Sequence, residues 1–433
     1  MKLLQVASGD FFSTYGGGQV YVKNIVDEMI RQDLNVSVLS FVNKDIAFAK
    51  HDYEGIPLWE IGNLATVANI EDLLRTISPD VIHAHSQKAL FASLGKSLGI
   101  PVVITAHHGG ILCPAGALMN AEECICETSL SHKNCLKCCL ANIRTGRSWY
   151  PVMKLLPQKC YLQFGKILQK LPSIPFITPI GGTAFSIKRK INEWQTICDN
   201  ATAIIAPSNA IAKAMCRNGL SREKVKVIPH GIPKNTQFSH NKNNKESIIV
   251  SKQETIRFFY VGRICRVKGV HILLKAFSSI TNSSKAELHI IGGAGNNSEE
   301  RYMQSLKQRY KSPNIVWHGK VHADKVFDTI KDYDVMVHPT ICMEIYGLNI
   351  AEALTMNKPV LATRCGGAEM QIVEGVNGWL VEPNDMLSLR RKMEKITIEG
   401  VTINTESLHQ NVVDIKEHVK DLIQVYEKEK IID

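Results

Sequence analysis

Glu344 and Glu352 stand with seven residues between them in Met343-Glu-Ile-Tyr-Gly-Leu-Asn-Ile-Ala-Glu352. Tyr346-Gly347 reads as a turn and 348–356, opening at Leu348, as a helix. Glu344 then lies on the loop before the helix and Glu352 on its second turn. A carboxylate at the first place can face a bound sugar, and one at the second can accept from a ribose diol. Two surface carboxylates without a ligand are the plain alternative.

Val261-Gly-Arg-Ile-Cys-Arg-Val-Lys-Gly269 places cations after a strand-like run. Arg263 offers a planar fork and Lys268 a point charge, a combination that suits a diphosphate. Gly292-Gly293-Ala294-Gly295 is a second loop where a backbone can approach a ligand closely. Gly16-Gly17-Gly18 sits between a strand and a helix, where free N–H groups and the helix dipole favour an anion. Each glycine run is equally a tight turn when taken alone.

Cys113, Cys124, Cys126, Cys135, Cys138 and Cys139 follow the spacing C-x10-C-x-C-x8-C-x2-C-C, with His132 nearby. In a cytosolic chain, clustered thiols argue for metal before disulfides. Cys135-x2-Cys138 supplies half of a zinc site, so a structural zinc is one expectation and plain reduced thiols another.

The elements that must position these groups alternate. Strands are expected at 3–7, 35–41, 80–85, 102–106, 201–206 and 225–228, then at 256–262, 287–292, 315–317, 335–338 and 359–362. Helical stripes lie between them, beginning with Val20, Val22, Ile25, Val26, Met29 and Ile30. Such alternation predicts parallel, doubly wound α/β sheets. A first domain is expected over 1–235, with a Cys-rich and basic insertion at about 108–200. A polar linker covers 239–254, a second domain 250–405, and a helix 406–433. Two such domains imply a cleft, with ligands at the carboxyl ends of the strands.

The joint order of these pieces resembles the retaining nucleotide-sugar glycosyltransferases of the GT-B fold, glycosyltransferase family 4. The matching residues are the N-terminal glycines, Thr105-Ala-His107, Ala206-Pro-Ser208, Val227-Ile-Pro-His-Gly231, Val261-Gly-Arg263 through Lys268-Gly269, Pro339-Thr340 through Glu352-Ala353, Lys358 through Thr363, Gly366-Gly367 and Asn377-Gly378. The resemblance implies two Rossmann-like domains facing a central cleft. It implies that Arg263 and Lys268 hold the donor diphosphate, that Glu352 binds the ribose, and that Glu344 and His107 contact the transferred sugar. Gly17, Gly18, Gly293, Tyr346, Gly347 and Leu348 would complete the donor site. No catalytic metal is implied, because cations and dipoles stabilise the departing diphosphate directly. Ile345-Tyr346, His230, Thr340 and His108 depart from the usual pattern, and His107 is chosen over His108 on the Thr-x-His spacing. An epimerase of the same fold, or a metal-bearing scaffold with a decayed sugar site, are the competing readings.

Composition bounds the partners. The chain has 433 residues, 51 Lys+Arg and 41 Asp+Glu, for a net +10. Lys133 to Lys190 holds eleven of the basic residues and no acidic one, so the excess belongs to that stretch. It has no finger, RNP or helix-turn-helix signature, which argues against nucleic acid. No apolar run reaches the ~20 residues of a membrane span, and the expected location is cytoplasmic. Within 149–170, Lys159, Gln163, Lys166 and Lys170 fall on one helical face and Cys160, Phe164 and Ile167 on another. That pattern suits an interfacial helix on an anionic membrane, or a helix packed on the protein with a solvated lysine face. A saccharide or lipid-linked acceptor is expected on the same domain.

Overall fold

The structure is a computed structural model describing residues 1–7, 11–12, 16–141, 143, 146–155, 157, 159–160, 162–163, 166–167, 178–233, 248–250, 255–281 and 285–430. The chain forms two compact units. Unit 1 comprises Met1–Ala121, Cys126–Gly231 and Ile415–Asp433; unit 2 comprises Glu122–Ile125 and Ile232–Asp414.

Unit 1 is built on an eight-stranded sheet. Its strands are β1 (Leu3–Val6), β2 (Val36–Phe41), β3 (Phe48–Tyr53), β4 (Ile56–Ile61), β5 (Val81–Ala84), β6 (Val102–Thr105), β7 (Ala203–Ala206) and β8 (Val225–Val227), in the order β3-β4-β2-β1-β5-β6-β7-β8. All neighbours pair in parallel except β3 with β4. Strands β1, β5, β6 and β7 are buried along their whole length, as parallel strands covered on both faces must be. Strand order reverses between β1 and β5. The carboxyl ends of these two strands therefore flank a topological switch point, where ligands of such sheets bind.

Unit 2 has a six-stranded sheet. It is formed by β10 (Ile256–Val261), β11 (Ala286–Ile291), β12 (Ile315–Gly319), β13 (Val335–His338), β14 (Val360–Thr363) and β15 (Gly378–Val381), ordered β12-β11-β10-β13-β14-β15 and parallel throughout. Its switch point lies between β10 and β13. Arg263 and Lys268 follow the first of these strands, and Glu344 follows the second.

The alternation expected from the sequence is thus the observed architecture, with three additions. Strands β3 and β4 form a hairpin through Glu54-Gly55, both with positive φ (49° and 85°). β3 reads Phe-Ala-Lys-His-Asp-Tyr and is half or fully exposed at the sheet edge, so no hydrophobic period marks it. Residues 239–254, expected to be a polar linker, contain β9 (Ile248–Val250), which pairs antiparallel with β16 (Thr402–Asn404). Its apolar triplet finds a partner over 150 residues away, which no local pattern reveals; the rest of the expected linker lies outside the described residues. Third, the expected terminal helix is the helix Ile415–Lys430, which belongs to unit 1. It buries Ile415, His418, Val419, Leu422, Val425 and Tyr426 on one stripe.

Candidate functional site

The unit 2 site begins where β10 and β11 end. Gly262 (φ 153°) and Gly292 (φ 138°) lie side by side, and a Cβ on Gly292 would stand 1.8 Å from the Gly262 carbonyl oxygen. Only glycine fits there, because both the angle and the space exclude a side chain. The Ile264 amide donates to the Gly293 carbonyl at 2.9 Å, and the buried Tyr260 hydroxyl donates to the Arg263 carbonyl at 2.7 Å. These bonds fix the turn that presents Arg263. Its side chain is 56% exposed and 3.8 Å from Glu299, whose other carboxylate oxygen accepts from the Gly295 amide at 2.8 Å. The second glycine loop therefore packs against Arg263. Lys320, at the end of β12, lies across Gly293, with its Cγ 2.7 Å from where a Cβ would be. Sequence reasoning missed this third cation, although Gly319-Lys320 after a strand repeats the Gly-then-cation pattern of Gly262-Arg263.

Lys268 closes a 3-10 turn, Arg266–Lys268, ahead of the helix Val270–Phe277. Gly269 (φ 69°) caps both elements, and a Cβ there would sit 1.8 Å from the Pro339 oxygen. The Ile341 amide donates to the Val267 carbonyl at 3.0 Å. Lys268 is thereby held against the chain leaving β13, and its ammonium donates to Glu344 Oε2. The same oxygen lies 3.3 Å from His338 Nε2. His338 Nδ1 faces the Asn349 amide nitrogen at 3.3 Å, a group that can only donate, so the His338 proton is on Nε2, which lies 3.0 Å from Thr340 Oγ1 and 3.3 Å from Glu344 Oε2. Burial pushes the Glu344 carboxyl up, but Lys268 and His338 outweigh it and hold it well below the ordinary carboxylate range. Burial likewise pulls Lys268 down, and Glu344 more than restores it. Both groups are charged at neutral pH. His338 and Asn349 were not singled out from the sequence; a histidine ending a fully buried strand was the available signal.

Glu352 stands on the helix Leu348–Thr355. Burial raises its pKa, and its carboxyl group has no hydrogen-bond or ion-pair partner among the described residues. A half-buried carboxyl without a partner is available to ligand hydroxyls. Gly347 (φ 88°) begins that helix, and Leu348 follows it. Tyr346 is buried against Ile232 and Ala351, so its side chain is a packing element of unit 2. The Tyr346 carbonyl accepts from Gln371.

In unit 1, Gly16 (φ 117°) caps the helix Gly17–Arg31 after β1. Gly17 is exposed, and the missing side chain of Gly18 faces His107, whose Cβ and Cγ lie 3.7 Å from the ideal Cβ position. The glycine turn and the histidine, 89 positions apart, are therefore neighbours. His107 follows β6 and His85 follows β5; His85 Nδ1 is 2.9 Å from His107 Nε2. The Tyr21 ring packs 5.1 Å from His107 and 4.0 Å from His230, and its hydroxyl meets His418 Nε2 at 2.7 Å. Burial, more than their mutual repulsion, pulls the pKa values of His85, His107 and His230 well down, so these rings are neutral at pH 7. The exposed His108 is used differently: its Nδ1 accepts from the Gly110 amide at 3.1 Å and caps the turn Gly109–Ile111. Gln5, Tyr21, His85 and His418 were missed. Ile-His-Ala-His at 82–85 put two polar rings on one face of a buried strand, which was their signal.

The cysteine cluster gives no ligand set. Cys113 is buried, Cys124 is exposed, and Cys126, Cys135, Cys138 and Cys139 are half-buried; all are free thiols. Cys135 and Cys139 pack against Leu136, Leu140, Met153, Ala184 and Ile187, and burial pushes Cys135 up to about 11 and Cys139 to about 12. Among the described residues, no three His, Cys, Asp or Glu side chains form a group that could hold a metal ion. The six cysteines named for a structural zinc are not gathered into such a group among the described residues. Of the expected interfacial face, Lys159, Cys160, Gln163, Lys166 and Ile167 are exposed, while Phe164 and Lys170 lie outside the described residues. No helix among the described residues is long and apolar enough to cross a membrane.

Two family models match the chain: Glycosyltransferase Family 4 over residues 15–121 and Glycosyl transferases group 1 over residues 241–411. The capsular polysaccharide biosynthesis glycosyltransferase CapM of Staphylococcus aureus is 30% identical over 220 residues, covering 49% of this chain and 55% of that protein. The lipopolysaccharide 1,2-N-acetylglucosaminetransferase of Salmonella typhimurium is 25% identical over 193 residues, 43% of this chain and 50% of that protein. The chain spans about half the length of the curated relatives it matches. Among solved structures, Anabaena HepE in complex with UDP is 18% identical, with a TM-score of 0.65 and coverage of 99% of this chain and 100% of that one. That likeness shows the GT-B fold.

Proposed function

We propose, from a chain that carries a family 4-type region and a glycosyl transferases group 1 region on the GT-B fold, that it is a glycosyltransferase. It takes a sugar from a nucleotide-diphosphate donor held by unit 2 and passes it to an acceptor in polysaccharide or glycolipid synthesis. The observation that carries this reading is the set at the unit 2 switch point. Lys268 is locked on Glu344, Arg263 and Lys320 stand over glycine turns, and the carboxyl of Glu352 has no partner among the described residues.

The chemistry follows from these groups. Arg263 and Lys268 bind the diphosphate and stabilise the charge that grows on it as the sugar–phosphate bond breaks. The glycine turns let backbone approach those oxygens. Glu352 accepts from the ribose diol. Glu344 is held by Lys268 and His338, so it is a hydrogen-bond acceptor for sugar hydroxyls rather than a free nucleophile. Retention then runs by a front-face route, the leaving phosphate taking the proton from the acceptor. The anionic relatives of such acceptors, or a membrane surface bearing them, would account for the excess charge of Lys133–Lys190.

A calorimetric panel of UDP-, GDP- and ADP-sugars tests the donor, beginning with UDP-glucose, which one structural neighbour binds. Binding of one class, followed by release of its nucleoside diphosphate with an acceptor extract, is expected. Conversion to an epimeric nucleotide sugar would instead establish the epimerase reading, and no binding of any class would remove the donor site. The anomeric coupling of the product, read by NMR, decides retention.

A further inference from the structure

The buried polar side chains of unit 1 fix their own proton positions. Gln5, on β1, has its Nε2 3.6 Å from the Met29 sulfur and 3.4 Å from the Tyr426 hydroxyl. The sulfur can only accept, so the amide nitrogen belongs on that side and Oε1 faces His85 Nε2 at 2.9 Å. A carbonyl oxygen only accepts, so His85 carries its proton on Nε2. His85 is buried and uncharged, so its Nδ1 is an acceptor. That nitrogen lies 2.9 Å from His107 Nε2, which must therefore be protonated and donate.

A second arm agrees with this assignment. The Tyr426 hydroxyl accepts from Gln5 and donates to His83 Nδ1 at 2.6 Å, and His83 Nε2 donates to Thr105 Oγ1 at 2.7 Å. Turning the Gln5 amide over would place two acceptors against each other at Met29 and would reverse the tautomer of His85, so the Met29 sulfur decides the orientation. Both arms thus point one way. They start from an amide whose two ends are chemically distinct; one ends at Thr105 and the other at the half-buried ring beside Gly18.

We propose that His85, oriented by Gln5, is a positioning residue that fixes His107 in the tautomer with its proton on Nε2, so that Nδ1 is the lone-pair acceptor offered to a sugar hydroxyl. The role for the hydroxyl rests on the transferase reading; the tautomer does not. Nδ1 of His107 has no hydrogen bond among the described residues, which leaves it free for that use. An imidazole with the opposite tautomer would present an N–H there instead. It would meet a hydroxyl only by reversing the hydroxyl's own bond, and it would set two lone pairs against each other at His85.

Two measurements on the full chain test this. A long-range proton–nitrogen correlation spectrum of the imidazoles, with His107 assigned by its loss in His107→Asn, should show Nε2 protonated and Nδ1 bare at neutral pH. A protonated Nδ1, or rapid averaging between the two forms, overturns the proposal. In activity, His85→Leu should lower kcat at least ~10-fold, and His85→Asn, whose Oδ1 can still accept from His107, should recover most of it. If His85→Leu does not fold, the spectra of the wild type and His85→Asn decide; a His85→Asn variant that keeps full kcat with His107 switched to the other tautomer overturns the role. The expected tautomer in a chain that transfers no sugar would uphold the relay and remove the proposed function, so the two failures are distinct.

Discussion

Lys268 donates to Glu344 Oε2 across 76 positions of sequence, and His338 approaches the same oxygen at 3.3 Å. Lys268 comes from a 3-10 turn after β10 and Glu344 from the loop after β13, the two strands that flank the unit 2 switch point. One carboxylate oxygen therefore links both sides of that point before any ligand arrives.

This pair should behave as a unit. Glu344→Gln leaves a largely buried ammonium without its counter-charge, and Lys268→Met leaves the carboxylate without its own. Each single variant should lower the urea midpoint, and the double variant should cost less than the sum. A coupling of about 0.5–3 kcal/mol is expected for residues in contact. Additive losses would mean that the two groups do not interact.

The pair also sets an acid limit. Burial raises the Glu344 pKa, but Lys268 and His338 bring it below its unfolded value, so the folded state binds fewer protons. Its contribution is complete above the unfolded carboxylate pKa of about 4.3 and is lost as pH falls below that. Urea midpoints measured from pH 6 down should fall more steeply for the wild type than for Glu344→Gln below about pH 4.3.

Arg263 is exposed, and its ion pair to Glu299 is long at 3.8 Å. Arg263→Ala should change stability by no more than about 0.5 kcal/mol. It should nevertheless cost at least ~10-fold in donor turnover, because a charge-assisted contact to phosphate contributes about 1.5–3 kcal/mol. Stopped-time assays of nucleoside diphosphate release check this. Unchanged turnover would remove Arg263 from the donor site.

Two glycines should respond in opposite ways. Gly269→Ala combines a positive φ with a Cβ 1.8 Å from the Pro339 oxygen, so backbone must move; a loss of more than about 1 kcal/mol is expected by thermal unfolding. Gly18→Ala meets His107 only at an ordinary 3.7 Å on a helical backbone, and should fold with near wild-type stability. Any change it makes in activity then reports on the space beside His107.

The thiols offer a fifth check. Cys124 and Cys160 are exposed, whereas Cys135 and Cys139 are raised to about 11 and about 12 by burial. Iodoacetamide at pH 7.5, followed by peptide mass spectrometry, should label the exposed pair first. Protection of the whole cluster that a chelator abolishes would instead indicate a bound metal.

The sequence by itself determined what depends on local chemistry. Short apolar runs and period-3.6 stripes specified the central strands and their crossover helices, and glycines at 262, 269 and 292 marked turns that no side chain can occupy. Arg263, Lys268, Glu344 and Glu352 were legible because their types and their places after strands already imply anion and hydroxyl binding. Only the tertiary structure decided which of these groups are engaged with each other. Glu344 is held by Lys268 and His338 while Glu352 has no partner among the described residues, and the first of these follows from β10 and β13 being neighbours in the sheet though distant in sequence. The same reason hid the Gln5–His85–His107 chain, whose members end or occupy three different strands, and the return of Ile415–Lys430 to unit 1. It also placed Cys135 and Cys139 against leucines, a packing that their spacing alone does not show.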